Sequence, residues 1–369
     1  MADRKLATIR RVSAVDDIPK KDRIGLAHID GWTVIVQKEQ IHAGDLVVFC
    51  EIDSVLPDAE WCSFLKDHRI KTMKMAGCLS QGIAFPLSIL PVYSAPDGLY
   101  ISEGDDVTEM LGITKWERPD ATDLDLGNKG GTSGKKKFPK WLMKYGWFRW
   151  FVYKFIDKRT AKGFPDFVSK TDEIRIQNAP WYLDKDQEWV LTEKVDGQSG
   201  TFAVKKTHKM FGDKYETFVC SRNIRLFNPD NSSYWKVWKK YDLETILEYL
   251  CESMPYEWVC IQGEIIGPGI QGNKYKRTEP ELYVFNFITD RDGRWASADA
   301  KALLEPLGIP WVPIIAVDTL PKSVEEMLKV AHGDSRLADT LREGLVCRTL
   351  DGKQSFKVVD PEFLIKWGE

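Results

Sequence analysis

Residues 191–200 read LTEKVDGQSG, an apolar-polar alternation that reaches a lysine and then breaks. The preceding EWVLTEKV has the period of a β-strand, and Asp196-Gly197 is a turn pair. Lys194 therefore stands at a strand end, where its amine can project into a cleft. A lysine amine is a nucleophile only once it has lost its proton, which takes desolvation or nearby positive charge, a metal ion included. The spacing Lys-x-Asp-Gly is weak by itself, because a chain of this length carries it by chance about one time in ten at ordinary composition. Alone, it fits a solvated charge ahead of a turn equally well.

The rest of the chain sets the context. Its 369 residues suffice for two domains, each with its own core. Charged residues make up 29% and hydrophobic ones 43%, as in an ordinary soluble globular protein. A formal charge of −3 excludes a global nucleic-acid signature, so any such surface must be local. The seven cysteines, at 50, 62, 78, 220, 251, 260 and 347, include no CxxC pair. They read as reduced, mostly buried thiols rather than a zinc ribbon or disulfide frame. The five histidines are dispersed and read as structural. The N-terminus has no apolar signal core and no apolar run reaches spanning length, so the chain reads as cytoplasmic, without a membrane partner.

Up to about residue 113, short strand-like runs such as GWTVIVQ, GDLVVFCEID and QGIAFPLSIL alternate with Asp, Gly and Pro turns. That pattern predicts a small β-barrel of the OB type. LGNKGGTSGKKKFPK at 126–140 has linker composition. Residues 129–170 carry twelve Lys or Arg against two acids, interleaved with aromatic rings. Such a segment can bind phosphate backbones and stack on bases, or be an amphipathic helix whose rings pack on a domain; both can hold. From residue 171 strands alternate with helical stretches (NSSYWKVWKKYDLETILEYLCES, SADAKALLEPLG, SVEEMLKVAHG), which predicts an α+β domain.

The meaning of Lys194 comes from an ordered series. After EKVDGQ (193–198) follow SRN (221–223), GEIIG (263–267), YVFNF (283–287), EGLV (343–346) and SFKVV (355–359). The series resembles motifs I, Ia, III, IIIa, IV and V of the covalent nucleotidyltransferase superfamily of ligases and capping enzymes. Within it the chain looks most like the ATP-dependent RNA ligases of the type-5 group, which carry an OB-like domain before the transferase domain. KTDEIRIQN (170–178) and the closing FKVVDPEFLIKW strengthen that likeness, which spans essentially the whole chain. The resemblance implies an OB-like nucleic-acid-binding domain at 1–115 and a basic aromatic linker or helix at 116–165. An adenylyltransferase (ATP-grasp-like ligase) domain of antiparallel sheets with helices follows at 166–369.

It also implies residue roles. Lys194 would attack the α-phosphorus of ATP and carry AMP, which passes to an RNA 5′-phosphate before a 3′-hydroxyl displaces it. Asp196, Glu264 and Glu343 would hold the water shell of a catalytic Mg2+ or Mn2+, Glu264 alternatively contacting the adenosine ribose. Glu193 and Gly197 flank the nucleotide, Arg222 would bond ribose or a transferred phosphate, and Lys357 would neutralise the α-phosphate. Strand alternation puts Phe285 and Phe287 on one face; Phe285 is expected to stack on adenine and Phe287 to pack in the core. Arg175 is expected at the triphosphate. Many relatives have Lys-x-Lys in motif V, whereas this chain reads Ser355-Phe356-Lys357, with Lys353 two residues upstream of Ser355, so the second charge is unassigned. The partner expected is RNA with 3′-hydroxyl and 5′-phosphate ends, as in a nicked duplex, bound by a monomer. A DNA ligase or capping guanylyltransferase ranks lower, because those carry the OB domain after the transferase domain. The joint presence of Lys194, Asp196, Glu264, Glu343 and Lys357 argues against an inactive binding protein. On this reading, a chain beginning near Thr171 still adenylylates but seals poorly.

Overall fold

A computed structural model describes residues 4–91, 101–116, 163–209, 212–226 and 232–368. The basic aromatic stretch expected as linker or helix lies almost wholly outside the described residues.

The N-terminal part is made of short antiparallel strands: β1 (Ala7–Arg11), β2 (Ala14–Ile18), β3 (Lys21–Ile29), β4 (Trp32–Gln37), β5 (Leu46–Cys50), β6 (Ser54–Val55), β7 (Thr72–Met75), β8 (Cys78–Gln81), β9 (Ile83–Pro86) and β10 (Thr114–Lys115). They form the sheets β1-β5-β9 and β2-β3-β4 and the pairs β7-β8 and β6-β10. Alternation does what the sequence predicts: in β4, Trp32, Val34 and Val36 turn inward while Thr33 and Ile35 are only partly covered. The inward residues meet Ile9, Phe49 and Phe85 in one core.

The C-terminal part holds two antiparallel sheets. One, β17-β11-β18-β19, contains β11 (Glu188–Lys194), β17 (Ile314–Thr319), β18 (Gly344–Thr349) and β19 (Ser355–Val359). The other, β13-β12-β14-β15-β16, contains β12 (Gln198–Lys209), β13 (Gly212–Cys220), β14 (Trp258–Ile266), β15 (Glu281–Thr289) and β16 (Gly293–Arg294). The first long helical stretch forms two helices, α1 (Ser233–Lys240) and α2 (Leu243–Ser253), because Asp242 at the joint is left-handed with φ 47°. Helix α3 (Ser297–Leu304) packs beside β15, and α4 (Val324–Ala331) starts at Ser323, whose hydroxyl accepts from the Glu326 N–H. Helix α5 (Pro361–Trp367) closes the chain, capped by the buried Asp360. All seven cysteines are free, and six are buried.

The two parts share packing. Val359, Phe363 and Leu364, from β19 and α5, belong to the same buried cluster as the barrel core. Gly31, in the β3–β4 turn, sits so close to the transferase part that an added Cβ would lie 2.9 Å from both Gln177 and Val324. Buried Glu51 accepts from Arg4 at 2.7 Å and from the Asn178 amide at 2.7 Å, while the Asn178 carbonyl oxygen accepts from the Trp32 indole at 2.9 Å. Buried carboxylates tolerate such places only when fully paired, so these bonds fix the two parts against each other.

Candidate active site

Between the two transferase sheets lies a cavity of about 470 Å³. Thr192 and Lys194 from β11, Val346 and Arg348 from β18 and Lys357 from β19 form one wall. Gln198 and Ser199 from β12, Glu264 from β14 and Phe285 from β15 form the other, with Asp172, Glu173 and Arg222 at the edge.

Lys194 ends β11 opposite Gly344, and its Nζ lies 2.5 Å from the carboxylate of Glu343. Burial by itself would lower the pKa of this amine, but Glu343, Glu264 and Asp196 outweigh it and hold the pKa above the ordinary lysine value. The resting lysine is thus an ammonium. Glu264 is pushed up to about 8, first by burial and then by the like charges of Glu343 and Asp196. Around Lys194 the site is rich in carboxylates and short of cations.

The turn after Lys194 is clamped. A Cβ on Gly197 would lie 2.3 Å from the carbonyl oxygen of Ile265, so this crossing between the sheets admits only glycine. The Gln271 amide donates to the Gly197 carbonyl at 2.9 Å, and the Asp196 N–H donates to the Tyr275 hydroxyl at 2.9 Å. The Asp196 carboxylate is buried against the Lys274 ammonium.

The opposite end is cationic. Asp172 accepts from Lys357 at 2.7 Å and lies 3.7 Å from Lys115 and 3.9 Å from Arg222. Burial would raise its pKa, but Lys357 above all, then Lys115 and Arg222, hold it well below the usual carboxylate range. Lys357 is pulled down to about 8 by burial, with Arg175 and Lys194 adding to the effect and Asp172 opposing it. Three cations share one carboxylate here, an arrangement suited to an anion.

Glu193, Lys194, Gly197, Arg222, Glu264, Phe285 and Lys357 thus line one cavity, and Asp196 and Glu343 adjoin it through the Lys194 turn. Glu193 contributes little beyond its backbone, because its carboxylate is taken by the Ser335 hydroxyl at 2.5 Å and the Arg336 N–H at 2.8 Å. Arg175 is not among the lining residues. It is buried at the junction with the barrel, 3.4 Å from Asp53, and its Nε and Nη1 have no hydrogen-bond partner. Lys353 points to solvent beside Asp351, and Ser355 donates to Glu173 at 2.5 Å, so neither brings a second motif V charge to the cavity.

Strict alternation fails at Phe285. Gln262 pairs with Asn286 and Gly263 with Val284, leaving Phe285 as the extra residue of a β-bulge. Val284 and Phe287 therefore both face the core, while Phe285 turns into the cavity. Arg348, which sequence reasoning missed, is buried 5.9 Å from the Phe285 ring and 3.6 Å from Glu173, and burial lowers its pKa to about 10. Its signal was alternation along β18, which puts Val346 and Arg348 on one face.

A family model described as RNA ligase matches residues 187–367, and one described as OB-fold domain matches residues 6–87. The Naegleria gruberi RNA ligase with PPi is 30% identical, covers 98% of each chain and superimposes with a TM-score of 0.77. The chain belongs to the RNA ligase family. Two point mutants of the Naegleria ligase, one with AMP and Mn and one with ATP and Mn, are each 30% identical, cover 98% and 99% of this ligase respectively and 98% of their own chain, and give a TM-score of 0.78. A comparison with curated proteins finds no match. The ligase thus has the expected α+β fold with an N-terminal OB domain. Among its described residues no helix is long and apolar enough to cross a membrane.

Proposed function

We propose that this RNA ligase uses ATP to join 3′-hydroxyl and 5′-phosphate RNA ends at nicks in duplex RNA, acting as a monomer through a lysyl-AMP intermediate. The observation that carries this reading is the position of Lys194 in one cavity between a carboxylate group (Glu343, Glu264, Asp196) and a cationic group (Lys357, Arg222). A nucleophile so placed can face a phosphate chain on one side and a metal cation on the other.

Among the described residues no three acidic, His or Cys side chains are close enough to ligate an ion directly. The donor set instead fits a hydrated divalent cation, Mg2+ or Mn2+, since three hard oxygen donors act on one amine and repel each other in its absence. Asp196, Glu264 and Glu343 would hold it, and its charge would favour the neutral amine of Lys194.

In the first step Lys194 Nζ attacks the α-phosphorus of ATP, forming a phosphoramidate and releasing pyrophosphate. Lys357 and Arg222 offset charge on the reacting phosphate oxygens, and Arg175 offers its two orphan donors to the outer phosphates. Phe285, Val312 and Val346 give adenine apolar contacts. An oxygen of an RNA 5′-phosphate then attacks the AMP phosphorus and frees Lys194. Finally the 3′-hydroxyl attacks the 5′-phosphorus, and AMP leaves. Residues 1–115 and the basic stretch at 116–165 would hold the duplex, with residues 166–369 as the transferase.

Sealing assays test this with nicked duplexes that differ only at the nick. A 3′-hydroxyl, 5′-phosphate RNA nick should be sealed with ATP, and a 3′-phosphate nick should not. Sealing of DNA nicks alone would overturn the proposal. A pH dependence follows from Lys357. Its charge is needed at the phosphate, and in the free protein it is lost as pH rises through about 8. ATP affinity should therefore fall by up to about tenfold per pH unit above that point. Lys357→Met should bind ATP weakly and flatten this dependence, as read by titration calorimetry.

A further inference from the structure

Two of the three carboxylates assigned to the cation already hold a lysine. Lys194 sits on Glu343 and Lys274 on Asp196, so two positive charges occupy the ground of one divalent ion. Lys194 is the nucleophile on the reading above; nothing in that chemistry uses Lys274.

Lys274 lies in the loop between β14 and β15, and its side chain is only 6% exposed. The loop is held in an unfavourable shape. Gln271, Asn273 and Lys276 have φ of 47°, 50° and 52°, a region non-glycine residues avoid. The Asn273 side chain bonds the Arg277 backbone at 2.8 and 2.9 Å. Such a loop places one ammonium on Asp196 with little freedom. The same Nζ lies 4.7 Å from the Phe363 ring centroid and 5.0 Å from that of Trp367, both in α5. A buried ammonium that loses its carboxylate is normally stranded at high cost, and two aromatic faces reduce that cost.

We propose that Lys274 is the displaceable counter-ion of Asp196: it neutralises this carboxylate in the metal-free enzyme, gives it up when a divalent cation arrives, and stays on the rings of α5. This rests on the assignment of Asp196, Glu264 and Glu343 to the cation. Lys274 is then a positioning residue that sets how readily the metal site fills, and it ties that filling to the helix that also packs in the barrel core.

The test is Mn2+ binding to the nucleotide-free full-length protein, read by calorimetry or by the free-ion spin-resonance signal. Lys274→Met, which keeps a chain over the rings without charge, should bind Mn2+ about tenfold or more tightly, since one competing unit charge has been removed. Lys274→Arg should stay within about threefold of the native protein. Lys274→Gln carries the test if the Met variant does not fold. Lys194→Met, which lifts the other competing charge, should also bind more tightly. If Lys194→Met tightens binding and Asp196→Asn weakens it, while Lys274→Met and Lys274→Gln leave it unchanged or weaker, the metal site stands and the counter-ion proposal fails. If Asp196→Asn and Glu343→Gln leave Mn2+ affinity unaltered, the metal assignment itself fails.

Discussion

Lys194→Ala should abolish covalent transfer of AMP to the protein and reduce ATP-dependent sealing by at least about a thousandfold, because among the described residues no other group is placed to form the proposed phosphoramidate. The lysine sits three-quarters buried, on Glu343 and within the field of two further carboxylates. No other described lysine has this setting: Lys357 and Lys274 are paired with Asp172 and Asp196. Once RNA carries its own adenylate, the nucleophile has done its part. Sealing of a pre-adenylated RNA by Lys194→Ala should therefore persist within about tenfold of the native rate. Gel assays with labelled ATP and with pre-adenylated nicks measure the two halves separately. Covalent labelling of the variant at the native level would refute the assignment.

Phe363→Ala should lower the melting temperature by roughly 4 to 6 °C, from the ~3–5 kcal/mol lost when a buried Phe is truncated. Phe363 is 1% exposed and joins the barrel core from the last helix of the transferase part, so the cavity opens in the contact between the two. Because that core is shared, barrel and transferase should melt in one calorimetric transition, displaced as a whole. Two separate transitions, with only the later one displaced, would contradict a shared core. The same packing bears on a chain begun near Thr171. It would bare Val359, Phe363 and Leu364 and leave Arg175 and Asn178 without Asp53 and Glu51. Lost stability is therefore expected in such a chain in addition to a weaker hold on RNA.

Much of the cavity lining was legible because its residues lie next to strand boundaries that the sequence marks. Lys194 before Asp196-Gly197, Glu264 between glycines and Glu343 ahead of Gly344 are local patterns that short backbone geometry enforces. The barrel was legible for the same reason, as in the alternating β4. What escaped was set by contacts distant in sequence. The bulge that turns Phe285 out of the core comes from the register of β15 on β14, which alternation within one strand cannot reveal. Glu193 lines the cavity, and the partners of its carboxylate, Ser335 and Arg336, lie more than a hundred positions away. Arg175, expected at the triphosphate, lies at the junction with the barrel, 3.4 Å from Asp53, a position no local pattern marks. Lys274 carries no motif at all, and only the folded loop brings it to Asp196.

The most direct test of the central claim is to incubate the full-length protein with α-labelled ATP or GTP and Mn2+ or Mg2+, denature it, and map the labelled peptide. Label from ATP, on Lys194, that is lost when RNA with a 5′-phosphate is added is the expected result. Label from GTP in preference to ATP, label on another residue, or no covalent label with either metal would contradict it.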